Sequence, residues 1–189
     1  VELFAKDLQG ARAMRIAPNG DVFLAQTLAN KVTVLRPSKD GSRPESVTTF
    51  AQGLNLPLGM AFHPAKDPKW LYVAETNRIV RYPYSPGATV ASALPEVVVP
   101  QLYDSKAAGH YTRDLAFSKD GKRLFVSVGS ESNVAEQIPA QSVAEAQAFE
   151  KAQGVVGAAW GSESNRAAVL VFDADKPGKP RIYATGIRN

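Results

Sequence analysis

The sequence repeats itself, and the spacing of the repeat limits what the chain can fold into. Three segments share one order: an apolar strand, a polar turn, a second strand of alternating pattern, a short turn and a third strand. The first runs Met14-Arg15-Ile16-Ala17-Pro18-Asn19-Gly20, then Asp21 to Gln26, then Lys31 to Leu35. The second runs Met60 to Pro64, then Trp70 to Ala74, then Arg78 to Tyr82. The third runs Leu115 to Gly121, then Arg123 to Val128, with its last strand delayed to Ala168–Phe172. The anchor positions Ile16, Phe62 and Phe117 recur at steps of 46 and 55 residues. Short period-two strands rich in Val, Leu, Phe and Tyr, split by Asn-Gly and Asp-Gly, predict antiparallel sheet. A repeat of roughly 40–50 residues with about four strands is the arithmetic of a β-propeller blade. A sandwich or barrel would show similar strands without needing a repeating unit. The predicted fold is therefore all-β, about three and a half blades of a propeller. Its blades are roughly 8–52, 53–100 and 101–175, with the start of a further one at 176–189, in one partial propeller domain.

One stretch breaks the pattern. Residues 135–154 are rich in Ala, Gln and Glu, and Val143 to Ala152 favours helix over strand. Gly154 is placed to end that helix. The tag Gly-Ser-Glu-Ser-Asn stands on both sides, at 129–133 and 161–165, as if the helical segment were inserted within one blade. A surface decoration and a flap over a site are both compatible with such a segment.

Composition removes several functional classes. The 189 residues carry 22 basic and 18 acidic side chains, a net charge of +4. The basic residues are scattered, so they do not form the stripe that nucleic acid requires. No apolar run approaches the length of a membrane span. The absence of cysteine rules out a disulfide framework and thiolate chemistry. The opening Val1-Glu2-Leu3-Phe4-Ala5-Lys6-Asp7 lacks the charged head and apolar stretch of a secretion signal. Either the numbering is that of a mature protein or the protein is not exported.

In a propeller the loop leading into each innermost strand lies beside the central channel, so equivalent lead-in positions converge. Seven residues before Ile16, Phe62 and Phe117 stand Gln9, Asn55 and His110. Arg188, near the end of Arg181-Ile182-Tyr183-Ala184-Thr185-Gly186-Ile187-Arg188-Asn189, takes the same place in an apparent next blade. Four polar and chemically different residues at one repeated position suit a site better than a structural repeat. His63, in a Phe-His-Pro turn where the other repeats carry Ala17 and Ser118, reads as structural. Glu75, Asn77 and Asn133 follow strands in turns, where such residues are ordinary.

The segment Gly109-His110-Tyr111-Thr112-Arg113-Asp114-Leu115-Ala116-Phe117, continuing through Asp120-Gly121 to Val128-Gly129-Ser130, resembles a motif of the pyrroloquinoline-quinone-dependent sugar and sorbosone dehydrogenases. Gly186-Ile187-Arg188-Asn189 resembles that family's Gly-Leu-Arg-Asn element, and Asn55 to Pro64 resembles its second-blade signature. The resemblance implies a propeller of four-stranded antiparallel blades, six when complete, with the remaining blades outside these residues. It implies His110 as catalytic base, Arg188, Asn189 and Asn55 as quinone contacts, and Ca²⁺ held by residues outside this segment, with no metal ligand within it. It implies a small sugar as substrate, an external electron acceptor and a periplasmic or secreted location. The sequence departs from the soluble glucose dehydrogenase branch at Leu54, where that branch has a cofactor-contacting glutamine.

A neutral imidazole, with an ordinary pKa of about 6.5, suits removal of a hydroxyl proton near neutral pH. A guanidinium and a cation would stabilise negative charge developing on a quinone oxygen. Two other functions remain open. A gluconolactonase-like propeller would hold a metal through carboxylates, which the four lead-in positions lack. A non-catalytic ligand-binding propeller is compatible with the same fold.

Overall fold

A computed structural model describes residues 3–104, 109–134, 138–154 and 160–187. The chain divides into two compact units, Val1–Val98 and Val99–Asn189. The first unit contains two four-stranded sheets, each made of consecutive strands paired in sequence order. One is β1 (Ala11–Ile16), β2 (Val22–Gln26), β3 (Lys31–Pro37) and β4 (Pro44–Gln52). The other is β5 (Met60–His63), β6 (Trp70–Ala74), β7 (Ile79–Pro83) and β8 (Glu96–Val99). The sheet of the second unit contains β9 (Arg113–Phe117), β10 (Arg123–Val128), β11 (Ala168–Asp173) and β12 (Arg181–Thr185). Consecutive pairing of short antiparallel strands is the blade pattern that the repeat predicts.

The repeated turn chemistry explains the hairpins. The tetrapeptide Ser-Lys-Asp-Gly occurs twice, at 38–41 between β3 and β4 and at 118–121 between β9 and β10. In each, the glycine N–H donates to the serine carbonyl and the serine N–H to an arginine carbonyl five residues on. The aspartate accepts from the serine hydroxyl in both. Gly41 and Gly121 have φ of 70° and 74°, a left-handed conformation that glycine adopts without steric penalty.

Arg181–Thr185 corrects one expectation. These residues pair with β11, Ala168 opposite Thr185, and so complete the third sheet instead of opening a further one. The third blade therefore extends past 175, and the described residues hold three four-stranded sheets, not three and a half. The insertion between β10 and β11 delays the third strand, so the fourth falls where the repeat length puts the next blade. Fourth strands are also the least legible: the Glu-Ser-Val-Thr-Thr run of β4 has no strict alternation before the buried Phe50 and Ala51, and β8 has only four residues.

Ile16, Phe62 and Phe117 lie in β1, β5 and β9, the first strands of the three sheets. Their surroundings differ. Phe62 is half-buried against Phe23, with ring centroids 5.1 Å apart, whereas Ile16 is 71% exposed. Phe62 packs on Phe23 and Tyr84, which belong with Phe50 and Tyr82 to an aromatic cluster joining the two sheets of the first unit. Ile16 and Met14 have no such cover, and Met14 lines an apolar groove with Leu3, Phe4, Leu24 and Leu35.

The helix α1 spans Val143–Gln153 and ends at Gly154, whose φ is 63°, where the sequence places its end. Ser142 caps it: the hydroxyl accepts from the Glu145 N–H while the Glu145 carboxylate accepts from the Ser142 N–H. Among the described residues no helix is long and apolar enough to cross a membrane.

Asp21 fixes the turn after β1 to the second sheet. Its buried carboxylate accepts from Arg36 Nε at 2.9 Å and Nη2 at 2.6 Å, and Arg36 Nη2 also donates to the Gly87 carbonyl. The hydrogen bond from Arg36 holds the Asp21 carboxyl below its ordinary pKa of 3.8. A depressed carboxyl contributes stability that is complete above the unfolded pKa and is lost as pH falls through the folded one. Asp21→Asn is expected to lower stability at pH 7 by about 1–3 kcal/mol, the range for a broken buried charged hydrogen bond. The deficit should shrink below pH 3.8, measured as urea midpoints at pH 7 and pH 3.

Candidate functional site

Each of the three lead-in loops is held by a buried polar side chain that binds its backbone. In the first sheet, Gln26 at the end of β2 donates from Nε2 to the Gln9 carbonyl at 2.8 Å, and Thr33 donates to Gln26 Oε1. In the second, Glu75 follows β6 and is fully buried; its Oε1 accepts from the Asn55 N–H at 2.6 Å and its Oε2 from Arg78. Gln26 and Glu75 both stand four residues past the strand position that pairs with the anchor, Val22 opposite Ile16 and Leu71 opposite Phe62. The side chains of Gln9 and Asn55 are exposed. Their backbones are fixed and their polar groups displayed.

The third loop is held by two guanidiniums. Arg113, 1% exposed, donates from Nη1 to the carbonyls of His110 at 3.0 Å and Thr112 at 2.5 Å. Arg166, fully buried, donates from Nε to the Gly129 carbonyl and from Nη2 to the carbonyls of Ser130 at 3.0 Å and His110 at 3.4 Å. Both cations lie over the buried Tyr103 ring, 5.0 and 4.4 Å from its centroid. Burial lowers the Arg113 pKa to about 10, with the charge of Arg166 adding to the effect, so the Arg113 guanidinium stays charged at neutral pH. The His110 N–H donates to the Ser130 carbonyl at 3.0 Å, which closes the loop on the end of β10.

The duplicated Gly-Ser-Glu-Ser-Asn tag forms the base of the insertion. Glu163 of the second copy accepts from the Glu131 N–H of the first at 3.0 Å, and Arg166, just past the second copy, binds Gly129 and Ser130 of the first. The insertion is thus rooted at the end of the third sheet that carries His110. Beyond the root, Trp160 donates to the Pro139 carbonyl and meets Phe149 of α1 edge-on.

His110 is half-buried, and its Nε2 lies 2.9 Å from Asn133 Oδ1. Of the other predicted site residues, Asn55 belongs to the first unit, while Arg188 and Asn189 lie outside the described residues. His63 packs edge-on against Tyr72, consistent with its structural reading. Among the described residues no group of three or more His, Asp or Glu is placed to hold a metal ion.

The profile of the TrAA12-like family matches residues 1–167. The chain belongs to the TrAA12-like family. No curated protein matches it significantly. Among solved structures, the holo pyranose dehydrogenase PQQ domain from Coprinopsis cinerea is 17% identical with a TM-score of 0.71, over 98% of this chain and 41% of that one. The calcium structure of the Trichoderma reesei Carbohydrate-Active Enzymes Family AA12 protein is 19% identical with a TM-score of 0.65, over 92% and 37%. The PQQ-bound aldose sugar dehydrogenase from Streptomyces coelicolor is 17% identical with a TM-score of 0.59, over 100% and 54%. These likenesses establish the propeller fold, and the chain spans about half or less of each of these three structures.

Sequence reasoning on this TrAA12-like chain missed the residues that hold the loops. Glu75 reads as an ordinary turn residue, yet it is the buried anchor of the Asn55 loop; its register match to Gln26 is the signal that points to it. Asn133 reads the same way, yet it meets His110, and the doubled tag that contains it is the signal. Arg113 sits inside the quoted motif, and only its burial shows what it does.

Gly109 carries the tightest constraint. Its φ is 49°, and a Cβ there would meet the Arg166 guanidinium, with the Glu131 carbonyl oxygen at 2.6 Å and Glu131 Cα at 2.7 Å. Gly109→Ala is expected to cost 2 kcal/mol or more, as rough sums of strain and overpacking go. Gly186→Ala, at φ 76° with open space around it, should cost only about 1 kcal/mol. Denaturation midpoints of the two variants measure the difference.

Proposed function

We propose that this TrAA12-like chain forms part of an oxidoreductase that oxidises a sugar or sugar-aldehyde hydroxyl, with pyrroloquinoline quinone as cofactor and His110 as general base. The observation that carries this reading is the His110 loop: an imidazole held by a neutral amide, on backbone fixed by two buried guanidiniums. A quinone bearing carboxylates is anionic, and the charges beneath the loop balance, Arg113 and Arg166 against Glu131 and Glu163, with the arginines donating to loop carbonyls. Arg188 and Asn189 are the residues that would hold the quinone, as the family resemblance implies. The bound quinone would supply the acceptor for the electron pair and hydrogen leaving the sugar carbon.

His110 takes the hydroxyl proton as the carbonyl forms. An imidazole does this best when it is neutral at working pH and returns its proton to solvent afterwards. The fixed backbone keeps the ring from drifting, and misplacement of about 1 Å can cost a hundredfold in rate. Ca²⁺, with ligands outside these residues, and an external electron acceptor complete the same reading. The remaining blades complete the protein, and one of them would cover Met14, Ile16 and the groove on the first sheet.

In the full-length, quinone-loaded protein, His110→Gln is expected to lower sugar-dependent dye reduction by about 10²–10⁴, the usual contribution of a general base. Quinone affinity should be retained. Arg188→Ala should weaken quinone retention as well as turnover, through loss of a charge-assisted contact. Near wild-type turnover by His110→Gln would remove it as base, and absence of quinone from the purified protein would remove the cofactor assignment.

A further inference from the structure

We infer that Thr27 and Asn30, on the turn between β2 and β3, are positioning residues for the carboxamide of Asn55 in the lead-in to the second sheet. The inference rests on Asn55 as a quinone contact, which the family resemblance implies. The lead-in is captured from two sides. From the first sheet, the Asn30 carbonyl accepts from the Leu54 N–H at 3.0 Å and Asn30 Oδ1 accepts from the Leu56 N–H at 3.1 Å. One residue thus grips the chain immediately before and immediately after Asn55. The Thr27 hydroxyl, fully buried, donates to the Pro57 carbonyl at 2.7 Å. From the second sheet, Glu75 accepts from the Asn55 N–H and the Thr76 N–H donates to the Asn55 carbonyl at 3.1 Å.

The grip enforces an unusual backbone. Leu56 has φ of 49° and Asn30 of 53°. Asparagine tolerates the left-handed region because its short side chain bonds locally, whereas leucine rarely enters it. A leucine stays there only where its surroundings enforce the strain, and such residues gather at ligand clamps. Here the bond from the Leu56 N–H to Asn30 is one that enforces it. The turn that supplies the bond is itself tied down. The Asn30 N–H donates to the Thr27 carbonyl at 3.1 Å, and the Thr27 N–H donates to the Gly10 carbonyl at 2.9 Å. Thr27 therefore joins the lead-in of the first sheet to that of the second. The Asn55 carboxamide stands on this frame, exposed and with no hydrogen-bond partner among the described residues. Its N–H groups fit a ligand rich in carbonyl and carboxylate oxygens. A backbone already fixed leaves less ordering to be done when that ligand binds.

The test uses the full-length protein prepared free of quinone and titrated with pyrroloquinoline quinone in the presence of Ca²⁺. Affinity is read by calorimetry and folding by the denaturation midpoint. Asn55→Ala should weaken quinone binding about three- to tenfold, as loss of a neutral hydrogen bond does. Asn30→Gly keeps the left-handed backbone and its carbonyl and removes the side-chain acceptor. Thr27→Val keeps the shape and removes the hydroxyl. Each should weaken quinone binding about threefold or more, and neither should weaken it further in the Asn55→Ala background. Thr27→Ser, which keeps the hydroxyl, should bind quinone as the wild type does. Wild-type affinity in Asn30→Gly or in Thr27→Val overturns the inference, whatever happens to the midpoint. So does a loss of equal size with and without the Asn55 carboxamide, since the two residues would then act on the fold in general. If Thr27→Val fails to fold, Asn30→Gly decides. Unchanged affinity in Asn55→Ala removes Asn55 as a contact, and failure of the wild type to bind quinone removes the cofactor reading. Either of these last results takes the inference with it.

Discussion

The capture of loop backbone by buried polar side chains is the interaction on which the rest of this structure depends. Strand pairing satisfies the N–H and C=O groups within the sheets, but the loops leading into them have no ladder partner. Gln26, Glu75, Arg113 and Arg166 supply one, each from a buried position. Burying a charge is costly unless it is fully paired. Arg166 meets that cost by donating to three carbonyls and lying over Tyr103, and Glu75 by accepting from Asn55 and Arg78. The sites where electrostatics are most demanding are thus the sites that hold Gln9, Asn55 and His110.

This arrangement separates rigidity from chemistry. The bonds from Gln26, Glu75 and Arg113 that hold these loops run to the backbones of Gln9, Asn55 and His110. Changing any of these side chains leaves its loop anchored. A repeated scaffold can then vary the displayed group from blade to blade, here amide, amide and imidazole, while each loop keeps its shape. Only the holding groups must match their loop: an amide donor where a carbonyl is presented, a carboxylate where an N–H is presented.

Much of the architecture was legible because it is local. Period-two strands and Asp-Gly turns write themselves into adjacent residues, and the helix with Gly154 at its end follows from propensity alone. Legibility failed where the cause is distant in sequence. The assignment of Arg181–Thr185 depends on a pairing with Ala168–Val171, and the insertion upstream shifts the count. The site was legible in part. His110 stands out by its motif, but Asn133 is 23 residues away and Arg166 is 56. The doubled tag marks both places, but it does not name His110 as the partner. Buried charge looks like ordinary surface charge in a sequence, and only packing distinguishes them.

The tied base of the insertion has a consequence for how this chain can diverge. Val128 and Ala168 are paired neighbours, so β10 and β11 are joined by a loop of about forty residues where the first sheet manages its turn, from Gln26 to Lys31, with four. Closing the longer loop costs roughly 2 kcal/mol more, and each further doubling adds only about 0.6 kcal/mol. The clasp of Arg166 and Glu163 on residues 129–131 isolates the sheet from whatever the loop contains. Everything between Asn133 and Glu163 is therefore an exchangeable cassette. Its length and composition can drift through evolution at small thermodynamic expense, next to the His110 loop, without loosening the strands that hold it.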